Sequence, residues 1–286
     1  MIDFLNHLET HRIIREALFE DIGPGDYTSL STIPTGQFSR AQCLIKDDGI
    51  LAGVAFAEKV FETVDPHLKM EVVLPDGTTV VKGDVAFFVE GDPRSILQAE
   101  RLVLNVMQRM SGIATYTRNV VDLLKNTSCR VLDTRKTTPL IRHLEKWAVF
   151  IGGGVNHRFG LYDMIMIKDN HIDYAGGITA ALTACKSYLK KEQLTLKIEV
   201  ETRNLEEIRE VLNVGGIDRI MLDNMSLEMM RKAVDMIGNQ AETEASGGIT
   251  LERVRAIAET GVDFISMGAL THSIKSLDIS LKALTR

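Results

Sequence analysis

The chain has 286 residues, of which 45% are hydrophobic and 25% charged, enough to bury a substantial core in one large domain or two smaller ones. Its formal net charge of -6 argues against broad affinity for nucleic acid, which an excess of Lys and Arg drives, so any anion site must be local. No segment approaches the roughly 20 apolar residues of a membrane span. The opening MIDFLNHLETHR carries Asp3 and Glu9 where a secretory signal would need a basic start and an unbroken apolar stretch. Cys43, Cys129 and Cys185 are odd in number and far apart, which fits neither a disulfide framework nor a close-spaced zinc site. A reducing cytoplasm is the expected setting, with neither membrane nor nucleic acid as a partner.

In chain order, a helix is expected from about His7 to Glu20, stopped by the turn chemistry of Gly23, Pro24 and Gly25. Short strands follow at Ala41 to Lys46, Met70 to Leu74 and Val85 to Val89, the last two separated by Pro75, Asp76 and Gly77. A long helix is predicted from about Arg94 to Met110. Its Ile96, Leu97, Val103, Leu104 and Met107 share one stripe, from which Arg101 departs. The second half changes rhythm. Strand-like runs near Arg130 to Asp133, Asp163 to Ile167, Leu194 to Val200, Asp218 to Leu222, Glu242 to Ala245 and Val262 to Ser266 are the candidates for a parallel sheet. Between the later ones lie the helical patterns NLEEIREVLNVG, SLEMMRKAVDMIG and TLERVRAIAETG, each ending in or near Gly, which tolerates the left-handed conformation of a helix C-terminus. This β-α repeat has six or seven strands, fewer than the eight of a standard barrel; an incomplete α/β barrel is expected.

In such barrels the C-terminal strand ends carry the chemistry. Here those ends hold Arg135 and Lys136, Lys168, Glu199 and Glu201, Asp223, then Ser246, Gly247 and Gly248, then Gly268. Between residues 131 and 171 six Lys or Arg face four acids, a positive surplus inside a negative chain. A small, multiply anionic ligand is implied, because the Arg fork matches carboxylates and phosphates and Lys supplies a compact charge. The run IGGGVNHR allows a tight turn or a backbone facing a ligand. It is neither a dinucleotide fingerprint nor a Walker-type phosphate loop. EASGGIT places Ser246, Gly247 and Gly248 between a strand and a helix start, an arrangement suited to a phosphate monoester. Glu201 and Asp223 are candidates to hold magnesium or ribose hydroxyls, and Glu199, two residues from Glu201, should share its face.

Taken together, EDIGPGDYTS, ERLVLNVMQRMSGIAT, DTRKTTP, EKWAVFIGGGVNHRFGLYDMIMIKDNH, EVE, LDN, EASGGI and ISMGALTHS resemble the quinolinate phosphoribosyltransferase family over nearly the whole chain. The resemblance implies a type II phosphoribosyltransferase-like α/β architecture: an open α/β sandwich domain over residues 1–111, an incomplete α/β barrel over 112–270, and a C-terminal segment, 271–286, that returns to the first domain. It implies a decarboxylating pentosyltransferase of NAD biosynthesis, with magnesium as cofactor. It also implies a homodimer with shared active sites, further assembly to a hexamer being left open. By the same resemblance, Arg101 (from a partner subunit), Arg135, His157, Arg158 and Lys168 bind quinolinate. Lys136 lies between the two substrates, and Lys136, Glu201 and Asp223 carry the catalytic roles. Glu201 and Asp223 serve the ribose and the metal, directly or through water, and Ser246, Gly247, Gly248 and Gly268 hold the 5-phosphate of phosphoribosyl pyrophosphate. One position departs from the family pattern: Leu140 stands where Gly commonly follows the Pro of DTRKTTP. Two other readings were weighed, a related enzyme acting on another pyridine or aromatic acid and a non-catalytic sensor of phosphate ligands. The presence of all five cations and of Lys136, Glu201 and Asp223 favours quinolinate.

Overall fold

The computed structural model describes residues 4–284; Asp3 lies outside them. The strands are, in chain order, β1 (Ser39–Ile45), β2 (Gly49–Ile50), β3 (Lys69–Val72), β4 (Thr79–Val80) and β5 (Val85–Gly91), then β6 (Arg130–Leu132), β7 (Ile165–Ile167), β8 (Ile198–Thr202), β9 (Arg219–Asp223), β10 (Glu242–Ser246) and β11 (Phe264–Ser266), and last β12 (Ile279–Ala283). They belong to two compact units. The first comprises Met1–Arg118, Lys136–Gly153 and Ala269–Arg286, and the second Asn119–Arg135 and Gly154–Gly268.

The first unit contains a four-stranded sheet in the order β12-β1-β5-β3, all of whose pairings are antiparallel. The returning C-terminal segment supplies β12, which pairs along β1 from Ala41↔Ala283 to Ile45↔Ile279. Phe56, Phe61, Phe87 and Met107 are among the largest fully buried side chains of this unit. Helix Leu8–Ile22 starts one residue after its N-cap His7, whose Nδ1 accepts from Glu9 N. Helix Pro93–Leu123 runs 31 residues, well past the expected end near Met110. Gly112, a residue of low helix propensity, lies inside it. In the fold Gly112 lets another stretch of chain come close, since a Cβ there would collide with the Lys275 carbonyl oxygen. Of the expected stripe, Ile96, Val103, Leu104 and Met107 are buried, but Leu97 is 44% exposed.

In the second unit all six strands pair in parallel, in the order β6-β11-β10-β9-β8-β7. Because β11 pairs with β6, going round the sheet follows chain order with a single break, between β6 and β7. That is a barrel lacking the strands that would close it. The count is six, and the strands are buried on both faces, as parallel strands covered by helices must be: Val131, Val200, Ile220, Leu222, Ala245 and Ile265 on one face are each 1% exposed or less, and Leu132, Met221 and Glu244 on the other are 5% exposed or less. The strand expected from Leu194 begins only at Ile198, with Leu194 itself 44% exposed. Likewise β7 begins at Ile165, not Asp163. The Asp163 carboxylate instead accepts from Phe159 N and Gly160 N, closing a local turn. No helix among the described residues is long and apolar enough to cross a membrane.

Candidate active site

Parallel pairing puts the C-terminal ends of all six strands at one end of the sheet. Register shows how closely the site residues follow. Ser246 is the Cα partner of Asp223 across β10 and β9, and Glu201 that of Met221 across β8 and β9. Lys168 directly follows β7, while Arg135 and Gly268 follow the paired β6 and β11 within a few residues. Of the twelve residues singled out from sequence, ten fall in the second unit; Arg101 and Lys136 belong to the first. Arg101 lies exposed on helix Pro93–Leu123. The Lys136 carbonyl accepts from Thr271 Oγ1 at 2.8 Å.

Among the cations of the second unit, Arg135 and Lys168 are exposed and Arg158 is half-buried. The Arg158 guanidinium is held below its usual pKa, first by burial and then by the positive charge of Arg135. Two guanidinium groups brought into mutual repulsion raise the energy of the free protein, and an anion placed between them relieves it. Nearby, Lys168 Nζ stands 3.5 Å from Glu201 Oε2, with the Glu201 side chain only 11% exposed. Burial raises the Glu201 pKa, Lys168 opposes that rise, and the charge of Asp223 adds to it. Glu201 and Asp223 are therefore close enough to repel, and a neighbouring cation would be favoured. An oxygen-only pair of acids of this kind fits magnesium, a hard cation that takes one or two protein carboxylates and completes its shell with water and phosphate.

The glycine-rich segment after β10 is shaped by Asn224. Gly247 has φ +96°, and Gly248 has φ +55° with open space where a Cβ would stand. Asn224, itself at φ +53°, donates its backbone N–H to Ser246 O at 2.9 Å and its Nδ2 to Asp223 Oδ2 at 2.7 Å. Its side chain fills the space beside Gly247. The LDN motif thus connects the acid on β9 to the glycines after β10, a link that motif spacing could not reveal because it runs across strands. The other glycine run is structural at its first residue: a Cβ on Gly152 would lie 2.6 Å from the Ala114 carbonyl oxygen and 2.7 Å from Thr117 Cβ. Gly153 turns the chain with φ +94°.

His157 is buried at 8% exposure. Its Nε2 lies 2.9 Å from Glu199 Oε2 and 3.3 Å from Glu244 Oε2. Burial alone would lower the ring pKa, but the two carboxylates raise it to about 9. Arg158 N donates to Nδ1 at 2.6 Å. That contact requires Nδ1 as an acceptor and so favours the neutral ring with its proton on Nε2, against the pull of the two carboxylates toward the charged form. Glu199 shares the face of Glu201 as strand alternation requires, but it is fully buried, and its pKa is raised by burial and by Glu244. Sequence reasoning weighed Glu199 at the rim and passed over Glu244 and Arg219, because charged residues within strands carry no motif of their own.

Leu140, which departs from the family pattern, has φ +69° and is 77% exposed. The backbone keeps the conformation that Gly would adopt freely, and Leu bears it as strain of about 1 kcal/mol. Leu140→Gly removes that strain and little buried surface, although the greater freedom of Gly in the unfolded chain takes part of the gain back. The melting temperature is expected to rise by about 1–2 °C. A fall on thermal denaturation would mean that the leucine side chain is worth more than the strain it causes.

A parallel sheet that gathers arginines, paired acids and a glycine-rich strand–helix junction at one end has the architecture of a phosphoribosyltransferase built on an incomplete barrel. The comparisons agree in detail. The model of the quinolinate phosphoribosyl transferase C-terminal domain matches residues 113–282, and that of the N-terminal domain matches residues 26–111. The chain is 51% identical to quinolinate phosphoribosyltransferase [decarboxylating] 1b of Nicotiana tabacum, over 94% of this chain and 81% of that one. It is 45% identical to the probable nicotinate-nucleotide pyrophosphorylase [carboxylating] of Bacillus subtilis, over 97% and 94%. The crystal structure of the nicotinate-nucleotide pyrophosphorylase from Francisella tularensis superposes with a TM-score of 0.91 at 39% identity, covering 99% of this chain and all of that one. The chain belongs to the quinolinate phosphoribosyltransferase family.

Proposed function

We propose that the C-terminal strand ends of the parallel sheet bind quinolinate beside phosphoribosyl pyrophosphate and join them, with the site residues dividing the work by charge. The chain is a decarboxylating quinolinate phosphoribosyltransferase of NAD biosynthesis, as its family membership establishes. The observation that carries the division of labour is the repulsion between Arg135 and Arg158, which a dianionic ring acid would relieve. Arg135, Arg158 and Lys168 then take quinolinate, joined by the partner subunit's Arg101 in a homodimer, while His157, buried against Glu199 and Glu244, supports Arg158 from behind. Lys136 stands between the substrates. Ser246, Gly247, Gly248 and Gly268 hold the 5-phosphate.

The ring nitrogen attacks carbon 1 of the ribose as the bond from that carbon to the pyrophosphate oxygen breaks. Glu201 and Asp223 are suited to stabilise the positive charge that develops on the sugar, and to hold magnesium, which when bound neutralises the leaving pyrophosphate. The nitrogen, now positively charged, accepts the electron pair released when the adjacent carboxylate leaves as carbon dioxide, and a proton takes that place on the ring. Positioning supplies most of the acceleration, since neither step needs a covalent enzyme intermediate. Two separate cationic sockets also exclude nicotinate, which would leave one of them unpaired. The three free cysteines support a reducing compartment, which we take to be the cytoplasm.

The test is mass spectrometry of a mixture of the protein, quinolinate, phosphoribosyl pyrophosphate and magnesium. Nicotinate mononucleotide should appear, should fail to appear when magnesium is chelated, and should not form from nicotinate. Equal use of nicotinate would sink the two-socket assignment. Ligand binding without product would favour a sensor.

A further inference from the structure

Beneath the strand ends lies a layer of buried charge that the reaction as described does not use. Glu199 on β8 and Glu244 on β10 are both fully buried, and Arg219 on β9 is 8% exposed. Arg219 is the Cα partner of Glu199 on one side and of Glu242 on the other. One of its guanidinium nitrogens lies 3.0 Å from Glu244 Oε2 and 3.9 Å from Glu199 Oε2, while the other reaches Glu242 at 2.9 Å. Its guanidinium also rests 4.2 Å from the centroid of the Phe264 ring. Opposite Arg219, the two carboxylates meet His157. Apolar residues would fill a barrel interior at lower free-energy cost than such a group, so its presence calls for a task other than stability.

The ligand atoms of His157, Glu199 and Glu244 lie within 4.8 Å of one another, which raises a metal as the first reading. Arg219 argues against it, because a guanidinium already stands 3.0 Å from the Glu244 oxygen that the metal would need. The acids instead face a cation on one side and an imidazole on the other. The imidazole leads to the site. His157 N donates to Asp133 Oδ1 at 2.8 Å, and Asn156 Nδ2 donates to Asp133 Oδ2 at 2.6 Å, which anchors the segment. Arg158 N donates to His157 Nδ1, and the Arg158 guanidinium donates to Met164 O at 3.2 Å. Ring orientation at His157 therefore sets the backbone at Arg158, whose guanidinium feels the charge of Arg135.

We propose that Glu244 and Glu199, braced by Arg219, are positioning residues for the acid substrate. They hold the His157 ring, and through it the backbone of Arg158, so that the Arg135–Arg158 pair is in place before the ligand enters. Glu199 also offers the arginines a buried counter-charge, since it is among the groups that favour the charged form of Arg158. The inference rests on the assignment of quinolinate to these cations and deepens it.

The test uses the full chain. Wild-type turnover of quinolinate is measured first; its absence would overturn both the substrate assignment and this proposal. Glu244→Gln and Glu199→Gln, which keep side-chain size and remove charge, are then compared by steady-state kinetics and thermal melting. The KM for quinolinate should rise at least about tenfold, because a charge-assisted contact that orients the site is lost. The KM for phosphoribosyl pyrophosphate should stay within about twofold, a split that a general loosening of the barrel would not give. Equal rises for both substrates, or no rise in folded variants, would overturn the proposal while leaving wild-type turnover to support the substrate assignment. Should neither variant fold, nitrogen-15 NMR of the wild-type histidines decides, with the His157 resonance assigned from its chemical-shift pattern and contacts. The Nε2–H of His157 should stay beside the carboxylates of Glu199 and Glu244, its shift unchanged on saturation with quinolinate. Loss of that proton, or its transfer to the ligand, would overturn the proposal.

Discussion

Gly247→Ala is expected to abolish useful turnover through phosphoribosyl pyrophosphate, lowering kcat/KM by about 10²-fold or more, with a melting temperature close to wild type. Two costs fall on the same residue. The backbone at φ +96° is one that a side chain rarely adopts, and the new Cβ would lie within 2.7 Å of three side-chain atoms of Asn224. Asn224 cannot swing away freely, because its Nδ2 donates to Asp223 and its backbone N–H to Ser246. Relief of the clash therefore moves either the glycine loop or Asp223, the two elements proposed to hold phosphoribosyl pyrophosphate. The check is steady-state kinetics with each substrate varied, together with circular dichroism. A KM for phosphoribosyl pyrophosphate like that of wild type would remove Gly247 from the phosphate loop.

Lys168→Ala should lower kcat/KM for quinolinate by about 10³-fold, which follows from deleting the cation beside a nearly buried carboxylate as well as a ligand contact. Lys168 is 47% exposed while Glu201 is 11% exposed, so the loss falls unevenly. The lysine leaves without a cavity, whereas Glu201 keeps its buried carboxylate beside Asp223 without its cation. Its pKa, already raised by burial and by Asp223, should rise further. The expected signature is a steep loss of activity with little loss of fold. Wild-type kinetics in the alanine variant would sink the assignment of Lys168 to the pocket. A collapse of thermal stability would show that the ion pair serves the barrel before it serves the substrate.

The candidate site was legible where chemistry is local. DTRKTTP, KDNH and EASGGI place Arg135, Lys168 and Ser246 at or just past the ends of strands, and that position on a parallel strand already sets which end of the sheet a residue occupies. Even Leu140 could be read as an anomaly, since a Gly-like backbone with a leucine on it requires a positive φ, and φ +69° is what it has. The weak points were contacts between elements distant in sequence. The helix expected to end near Met110 runs on through Gly112, where the Lys275 carbonyl is brought against it. Gly152 reads as part of a ligand loop until helix Pro93–Leu123 passes beside it.

By itself the sequence determined the period of the second half, the number of parallel strands to within one, the excess of cations between residues 131 and 171, and the motifs that resemble one family. These follow from short-range rules, in which side-chain alternation and turn residues act over a few positions. Tertiary structure decided what burial and pairing create. It set the repulsion of Arg158 by Arg135, the closing of the strand order by β11 on β6, the seat of Asn224 against Gly247, and the descent of Glu199 into a layer with Glu244, Arg219 and His157. Each depends on bringing together residues tens of positions apart in a medium of low polarity, where charges that would be independent in water act on one another.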